Sequence, residues 1–524
     1  MTSPKVCLTT LVALVVVACV VASSSGARRA PGGSPFTNSG VSLAGVTSSA
    51  VAWGDYDSDG RLDFVITGAD SSKNPVARLY HNNGDGTFSV DSQANLTPLY
   101  DGAVAWGDYD SDGRLDLLIA GAINPHTAAT TLYHNNGDGT FTPALNLPGV
   151  SGGSLAWGDY NSDGRPDILL TGFLLGSSAS TPPVARIYRN NGGGSFTDIQ
   201  ANLTGVCYNS SAAWGDYDSD GKLDIVLTGY TGSKEIAKVY HNQGGGTFVD
   251  IHAHLIGVSG GCAVWGDYNS DGRLDLLLTG AHGDQQISRV YRGGGNGVFK
   301  DIQAHLAGFI WSSGGWGDYN SDGRPDILLT GVHGYANLVR VTKVYRSSGY
   351  GNLSAFSDIK AHLAGVEQGA AAWGDYNSDG RLDFLLAGNT GHGFVSRLYR
   401  NTSANANHAP GASANLTSVV TGNQVKLSWE SATDSKTPSA GLSYNVRVGK
   451  TPGGSQVLSP AALPNGRRLL PELGNAQERR SLTLTGLHGG TYYWSVQAID
   501  SSFAGSAFAA EQTFTVVSLP VLPG

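Results

Sequence analysis

At 524 residues the chain is longer than the usual single domain of roughly 100 to 200 residues, with 74 Gly and a single Met. Such a Gly content implies many tight turns, and with few long helix formers the chain reads as all-β. The formal charge of -9 argues against a nucleic-acid partner.

In chain order, an apolar stretch comes first. Residues from Cys7 to Ala22 follow Lys5 and give way to small residues ending at Ala27. The stretch is shorter than a membrane span of about 20 residues and has the pattern of an export signal. The expectation is a signal peptide over residues 1–27, cleaved after Ala27, and a secreted, extracellular or cell-surface protein. Val16-Val17-Ala18-Cys19 also has the pattern of a lipobox, which leaves open a lipid anchor at Cys19; an uncleaved anchor is a third reading. No second apolar stretch reads as a membrane helix, so the mature chain is expected to have no membrane span.

A tandem repeat follows. Trp53, Trp106, Trp157, Trp214, Trp265, Trp316 and Trp373 each open a Trp-Gly-Asp-Tyr unit, 51 to 57 residues apart. Periods near 40 to 50 residues with several short strands per unit mark propellers and related arrays. Four strands are expected per unit: the segment into the Trp, the apolar run after the loop (Phe64 to Thr67 in the first unit), the segment through Arg78 and Tyr80, and one opening at Phe88. The last unit has no Phe equivalent to Phe88, whereas Phe36 stands 17 residues before Trp53. Residues 36 to about 45 are therefore expected to supply the missing strand and close a seven-bladed β-propeller over residues 28–402, leaving only short, protected edges.

The loop after each Trp fits DxD/NxDGxxD. Its positions one, three, five and nine are Asp55, Asp57, Asp59 and Asp63 in the first repeat and Asp108, Asp110, Asp112 and Asp116 in the second. They are Asp159, Asn161, Asp163 and Asp167 in the third, and Asp216, Asp218, Asp220 and Asp224 in the fourth. The fifth has Asp267, Asn269, Asp271 and Asp275, the sixth Asp318, Asn320, Asp322 and Asp326, and the seventh Asp375, Asn377, Asp379 and Asp383. Position seven offers a backbone carbonyl, from Arg61, Arg114, Arg165, Lys222, Arg273, Arg324 and Arg381. Oxygen donors at this spacing, with Gly at position six for the sharp turn, suit a hard cation that takes about six to eight oxygens, so up to seven Ca²⁺ ions are expected. The four loops with Asn at position three are expected to bind more weakly. The loops carry 24 of the 42 acidic residues, so seven divalent ions would reverse the sign of the net charge.

The GDYNSDGRxDILLTG units resemble the FG-GAP/VCBS repeats of seven-bladed calcium-binding propellers, including those of integrin alpha chains. They depart in ending in Thr-Gly or Ala-Gly rather than Gly-Ala-Pro, and in placing a loop in every unit. The resemblance implies one calcium per loop in the first hairpin of each blade, and recognition through loops on the opposite face.

Residues 403–411 read as a polar linker. Short alternating strands over residues 412–518 read as a β-sandwich, ahead of a tail over residues 519–524. LxGGTYYWSVQAID resembles the sixth strand of fibronectin type III domains, with Trp429 matching the second-strand Trp and either Tyr492 or Tyr493 the strand's Tyr. Across such a linker the two modules are expected to respond separately, so that chelation lowers the melting temperature of the propeller and leaves the sandwich unaffected.

Segments that vary between repeats are the candidates for recognition: Tyr100 and Asp101, Cys207 and Tyr208, Phe309 to Trp311, Glu367 and Gln368, and loops from Phe173, Ala281, Val332 and Asn389. Loop residues on a rigid scaffold are where binding usually resides, and exposed aromatics suit sugar rings or protein anchors. His282, His333 and His392 occupy similar loops, Cys207 and Cys262 precede neighbouring Trp positions and could pair, and sequons occur at Asn95, Asn202, Asn209, Asn352, Asn401 and Asn415. No Ser/His/Asp order or nucleotide loop points to chemistry, and no catalytic residue is assigned. The expected role is adhesion to, or recognition of, an extracellular glycan or protein; the alternative is a lyase-like polysaccharide-processing enzyme.

Overall fold

The first repeat folds as its apolar pattern dictates. In the computed structural model, which describes residues 33–175, 182–334, 338–349 and 355–517, it holds β2 (Thr47–Gly54), β3 (Asp63–Ala69), β4 (Pro75–Asn82) and β5 (Phe88–Asp91), following β1 (Phe36–Asn38). These four strands, β2 to β5, form one antiparallel sheet in sequence order. Every residue of β3 is buried, as its near-continuous apolar run requires of a strand covered on both faces. The chain is all-β, with one 3₁₀ turn at Ser439–Gly441 among the described residues.

The other repeats build sheets of the same antiparallel kind, consistent with a β-propeller. In the third the innermost strand is split into Val150–Ser151 and Leu155–Gly158. The sheet of the last repeat contains Glu367–Gly374, Asp383–Asn389 and Phe394–Asn401, and β1 pairs with the last of these through Phe36↔Asn401 and Asn38↔Tyr399. Phe36 packs at 5.1 Å from the Phe384 ring and 5.9 Å from Trp373.

Adjacent sheets are joined by the Trp-Gly pair. A Cβ on Gly54 would stand 2.8 Å from Cδ1 of Trp106, and the same crowding recurs from Gly107 against Trp157 to Gly317 against Trp373. Glycine is therefore required for close approach at this position. The series returns to its start, because a Cβ on Gly374 would meet Cδ1 of Trp53 at 3.0 Å, and the Trp53 indole N–H donates to the carbonyl of Ala372 at 3.1 Å. A second tie crosses the same seams. Asn82 Nδ2 donates to the Tyr376 carbonyl at 2.8 Å, Asn135 to Tyr56 at 2.7 Å and Asn242 to Tyr160 at 2.9 Å.

The C-terminal residues form two three-stranded sheets. One contains Thr417–Thr421, Gln424–Ser428 and Ser481–Leu484, the other Ser443–Gly449, Gly490–Ile499 and Gln512–Val516. Trp429, Tyr444, Tyr492 and Trp494 fill the core between them. Tyr492, rather than Tyr493, is the buried member of the pair, and its hydroxyl donates to the His488 carbonyl at 2.7 Å.

From Ser34 on, the described residues form one compact unit, in which the C-terminal residues rest on the DxD/NxDG loops. The backbone N–H of Asp55 donates to Leu469 O at 3.0 Å, that of Asp216 to Gln477 Oε1 at 2.8 Å and that of Asp318 to Ser501 O at 3.0 Å. Arg479 Nε lies 3.3 Å from Asp216 Oδ2, Ser502 Oγ donates to Asp318 O, and Asn407 N donates to Gly380 O. Residues such as Leu470, Asn475 and Arg479 thereby roof a cavity of about 660 Å³ whose walls carry the seven repeat tryptophans.

Cys207 and Cys262 are free thiols, the first with its Sγ toward Tyr230 O at 3.4 Å and the second beside Thr279 Oγ1 at 3.3 Å. Asn401 is buried and spends its side-chain amide on Tyr319 O and Leu382 O, so it is no acceptor for a glycan. His282 and His333 each bond a backbone carbonyl, that of Gly257 and of Gly308 respectively. Phe309 is a core residue, and Glu367 is buried against Arg340 at 2.6 Å. The export segment with Cys7, Cys19 and Ala27, the sequon at Asn352 and the tail lie outside the described residues, as do parts of the loops from Phe173 and Val332. Among the described residues no helix is long and apolar enough to cross a membrane.

Candidate functional site

Two sets of residues gather at opposite ends of the innermost strands. At one end the loops are preshaped by their own first aspartate. Asp55 Oδ1 accepts from Asp59 N at 3.0 Å and its Oδ2 from Gly60 N at 2.9 Å, while Ser58 and Gly60 take positive φ values of 61° and 86°. The first aspartate accepts the same pair of bonds at Asp108, Asp159, Asp216, Asp267, Asp318 and Asp375. At position nine, Asp63 Oδ1 accepts from Asn82 N at 2.7 Å, which links the loop to the residue that bridges the sheets.

These carboxylates are buried together. Asp55 is 1% exposed and Asp63 fully buried. Burial, reinforced by the neighbouring carboxylates, pushes Asp55 up to about 7 and Asp63 up to about 9. The pattern repeats at Asp159 and Asp167 (about 7 and 8), at Asp267 and Asp275 (about 7 and 8) and at Asp375 and Asp383 (about 6 and 8). Such groups ionise together only beside a compensating cation. Ligand atoms of Asp55, Asp57 and Asp59 lie within 4.8 Å of one another, as do those of Asp108, Asp110 and Asp112. The donor set therefore fits a hard divalent ion. Calcium bound here would supply charge, and the chain's own contribution is to hold the oxygens in place.

The side chains at position seven do more than lend a carbonyl. Arg61, Arg114 and Arg165 pair with Asp59, Asp112 and Asp163, and Lys222 with Asp220 at 2.5 Å. Sequence reasoning missed three histidines. His81 Nδ1 lies 3.2 Å from Asp57 Oδ2 and 3.4 Å from Asp63 Oδ1, and His134 and His241 repeat this in the second and fourth loops. The signal was Tyr-His-Asn at the end of the third strand in those repeats and Tyr-Arg in the others.

At the opposite end lies the residue five before each Trp. Ser48, Asp101, Gly152, Asn209, Gly260, Trp311 and Gln368 all have φ between 47° and 64°. Left-handed backbone costs a non-glycine residue on the order of 1 kcal/mol. A β-bulge or irregularity follows in repeats one, two, four, six and seven. Six of these residues, with Phe173, Cys207 and Tyr208, line a cavity of about 620 Å³. Because they come from six different repeats, that cavity sits where the innermost strands converge, away from the DxD/NxDG loops. Tyr208 is 69% exposed and Trp311 37% exposed, and burial raises the Asp101 carboxyl above its usual range. Sequence comparison between repeats had singled out Asp101, Tyr208, Trp311 and Gln368, and Asn209 stood out only as a sequon; the two glycines had no chemistry to draw notice.

A family model described as FG-GAP-like repeat matches residues 55–119, 120–170, 173–227, 217–278, 267–329 and 318–386. No curated protein matches the chain. Among solved structures, the chain is similar to a fungal alcohol oxidase of the AA5 family in complex with copper, at 12% identity and a TM-score of 0.48, over 93% of this chain and 99% of that one. It is also similar to the Aleuria aurantia lectin bound to Fucalpha1-6GlcNAc, at 12% identity and 0.36, over 60% and 96%, and to an ancestral GH74 enzyme, at 12% and 0.41, over 92% and 63%.

Proposed function

The chain belongs to the FG-GAP-like repeat family, and from that premise we propose a secreted or cell-surface, seven-bladed, calcium-loaded propeller that binds an extracellular glycan or protein. In this reading β1 closes the ring, each loop holds one Ca²⁺ through positions one, three, five and nine and the carbonyl at seven, and the C-terminal sheets form a fibronectin type III-like sandwich. The return of the Trp-Gly packing from Gly374 to Trp53 supports the closed ring. Buried, mutually repelling carboxylates in all seven loops support the ions.

The observation that carries the recognition reading is the cavity ringed by left-handed residues at the end away from the loops. It combines an exposed indole and phenol with the polar groups of Asp101, Asn209 and Gln368, the mixture of aromatic faces and hydrogen-bonding groups that fixes a polar ligand in a concave site. The calcium end is covered by the C-terminal residues, so this mouth is the end left open to a ligand. A glycan array probed with the full chain in calcium tests the reading. Trp311→Ala and Tyr208→Ala are each expected to weaken the strongest signal at least tenfold with an unchanged melting temperature. Full binding by the double variant would place recognition elsewhere.

A further inference from the structure

We propose that the first, second and fourth loops can also take, in exchange for calcium, a borderline transition ion such as Co²⁺ or Zn²⁺ in a mixed nitrogen and oxygen site, with His81, His134 and His241 as added ligands through Nδ1. The other four loops stay oxygen-only. The inference rests on the cation reading of the loops and goes beyond it by dividing them into two chemical classes.

The division is written twice in each repeat. Where position three is Asp57, Asp110 or Asp218, the residue after the third-strand Tyr is His81, His134 or His241. Where position three is Asn161, Asn269, Asn320 or Asn377, that residue is Arg189, Arg292, Arg346 or Arg400. Seven repeats follow the rule without exception. A residue one step past Tyr80, which pairs with Phe64 in the adjacent strand, points to the loop that precedes that strand, so the two substitutions meet in space.

The geometry separates the classes. In the first, Nδ1 of His81 lies 3.2 Å from Asp57 Oδ2 and 3.4 Å from Asp63 Oδ1. His134 stands 3.2 and 3.3 Å from Asp110 and Asp116, and His241 3.3 Å from both Asp218 and Asp224. In each trio the ligand atoms lie within 4.8 Å of one another. Each Nδ1 is buried and makes no hydrogen bond of acceptable geometry, although two carboxylates stand beside it. A ring nitrogen so placed three times over is aimed at a shared point rather than at either carboxylate. In three of the four second-class loops a third-strand guanidinium reaches the position-five carboxylate, Arg292 to Asp271 at 2.8 Å, Arg346 to Asp322 at 3.2 Å and Arg400 to Asp379 at 3.1 Å, while in the third repeat Arg189 Nε donates to Asn191 Oδ1 at 3.1 Å.

Charge follows the same line. A histidine loop sets four carboxylates against one obligate cation at position seven, whereas an arginine loop sets three carboxylates against two. Guanidinium cannot ligate a metal, whereas neutral imidazole suits borderline ions and carboxylate suits hard ones. The histidine loops therefore have both the stronger field and the softer donor. Arg479 beside Asp216 makes the fourth loop the weakest of the three.

Cobalt(II) chloride titrated into the chelator-stripped full chain, followed by visible absorbance and by native mass spectrometry, tests the proposal. Three cobalt ions per chain are expected to bind at least tenfold more tightly than any others. The triple variant His81→Gln, His134→Gln, His241→Gln is expected to lose that tight class, while its calcium count and its melting temperature in calcium stay unchanged. Asn320→Asp combined with Arg346→His is expected to add a fourth tight cobalt ion in the sixth loop. Three tight cobalt ions retained by the triple variant, seven equivalent cobalt sites, or none in the wild type would each overturn the proposal. Calcium bound without cobalt sinks this inference alone; failure to bind calcium as well sinks the calcium reading with it.

Discussion

Stripped of divalent ions, the chain is expected to melt at a much lower temperature and to lose stability as pH rises. Asp55 and Asp63 titrate at about 7 and 9 in the folded, ion-free protein, against an ordinary value of 3.8. The unfolded chain therefore releases these protons above about pH 4 while the folded chain keeps them. Because the folded state binds more protons across that window, raising the pH favours unfolding. The contribution of each group is fully present below 3.8 and is lost as pH climbs toward its folded value. All fourteen carboxylates at positions one and nine are shifted upward in this sense, to about 6 at Asp108 and about 9 at Asp116, and Asp326 among them by burial above all. A bound cation reverses the sign by favouring the ionised form. Filling each of seven sites to tenfold above its Kd adds roughly 1.4 kcal/mol per site, about 10 kcal/mol in all. Calorimetry in EDTA at pH 5, 6.5 and 8 should show the melting temperature falling with pH, and calcium should restore it most at pH 8. An EDTA melt that rises with pH would contradict this.

Calcium removal is also expected to destabilise the C-terminal sheets, in a single unfolding transition with the propeller. The second module holds the loops by their backbone, through Leu469 on Asp55, Gln477 on Asp216 and Ser501 on Asp318, so a loop that relaxes loses its partner. Arg479 reports on the coupling. Its guanidinium lies beside a carboxylate that is 1% exposed, so Arg479→Ala leaves that charge without its protein partner. Removal of one member of a buried pair costs about 3 to 5 kcal/mol. That cost is expected in EDTA and to shrink with calcium, which compensates the same carboxylate. Limited proteolysis should cut within residues 450–480 in EDTA and spare them in calcium. Two separate melts, with the C-terminal one indifferent to EDTA, would refute the coupling.

What could be read from the sequence was what lies close along the chain. The Trp-Gly-Asp-Tyr register, the DxD/NxDG loop and the apolar run after it set the strands of each repeat by spacing alone, and the lone Phe36 pointed to the pairing of β1 with Phe394–Asn401. What could not be read depends on distance through space. The stretch between Gly449 and Ser481 has no periodicity, and only the fold shows that Leu469, Gln477 and Arg479 lie on the loops. Cys207 and Cys262 sit at comparable places in neighbouring repeats, yet their side chains face Tyr230 and Thr279 rather than each other. The histidines escaped because His81 lies 18 residues beyond Asp63, outside the loop motif, and stands out only when the seven third strands are aligned with their own loops.

The most direct test is a count of metal on the intact protein. Purified in calcium and passed through buffer holding micromolar calcium, the full chain should retain about seven calcium equivalents by elemental analysis, and Asp63→Ala should remove one. A chain that emerges without bound divalent ions, yet keeps its melting temperature, would contradict the account at its centre.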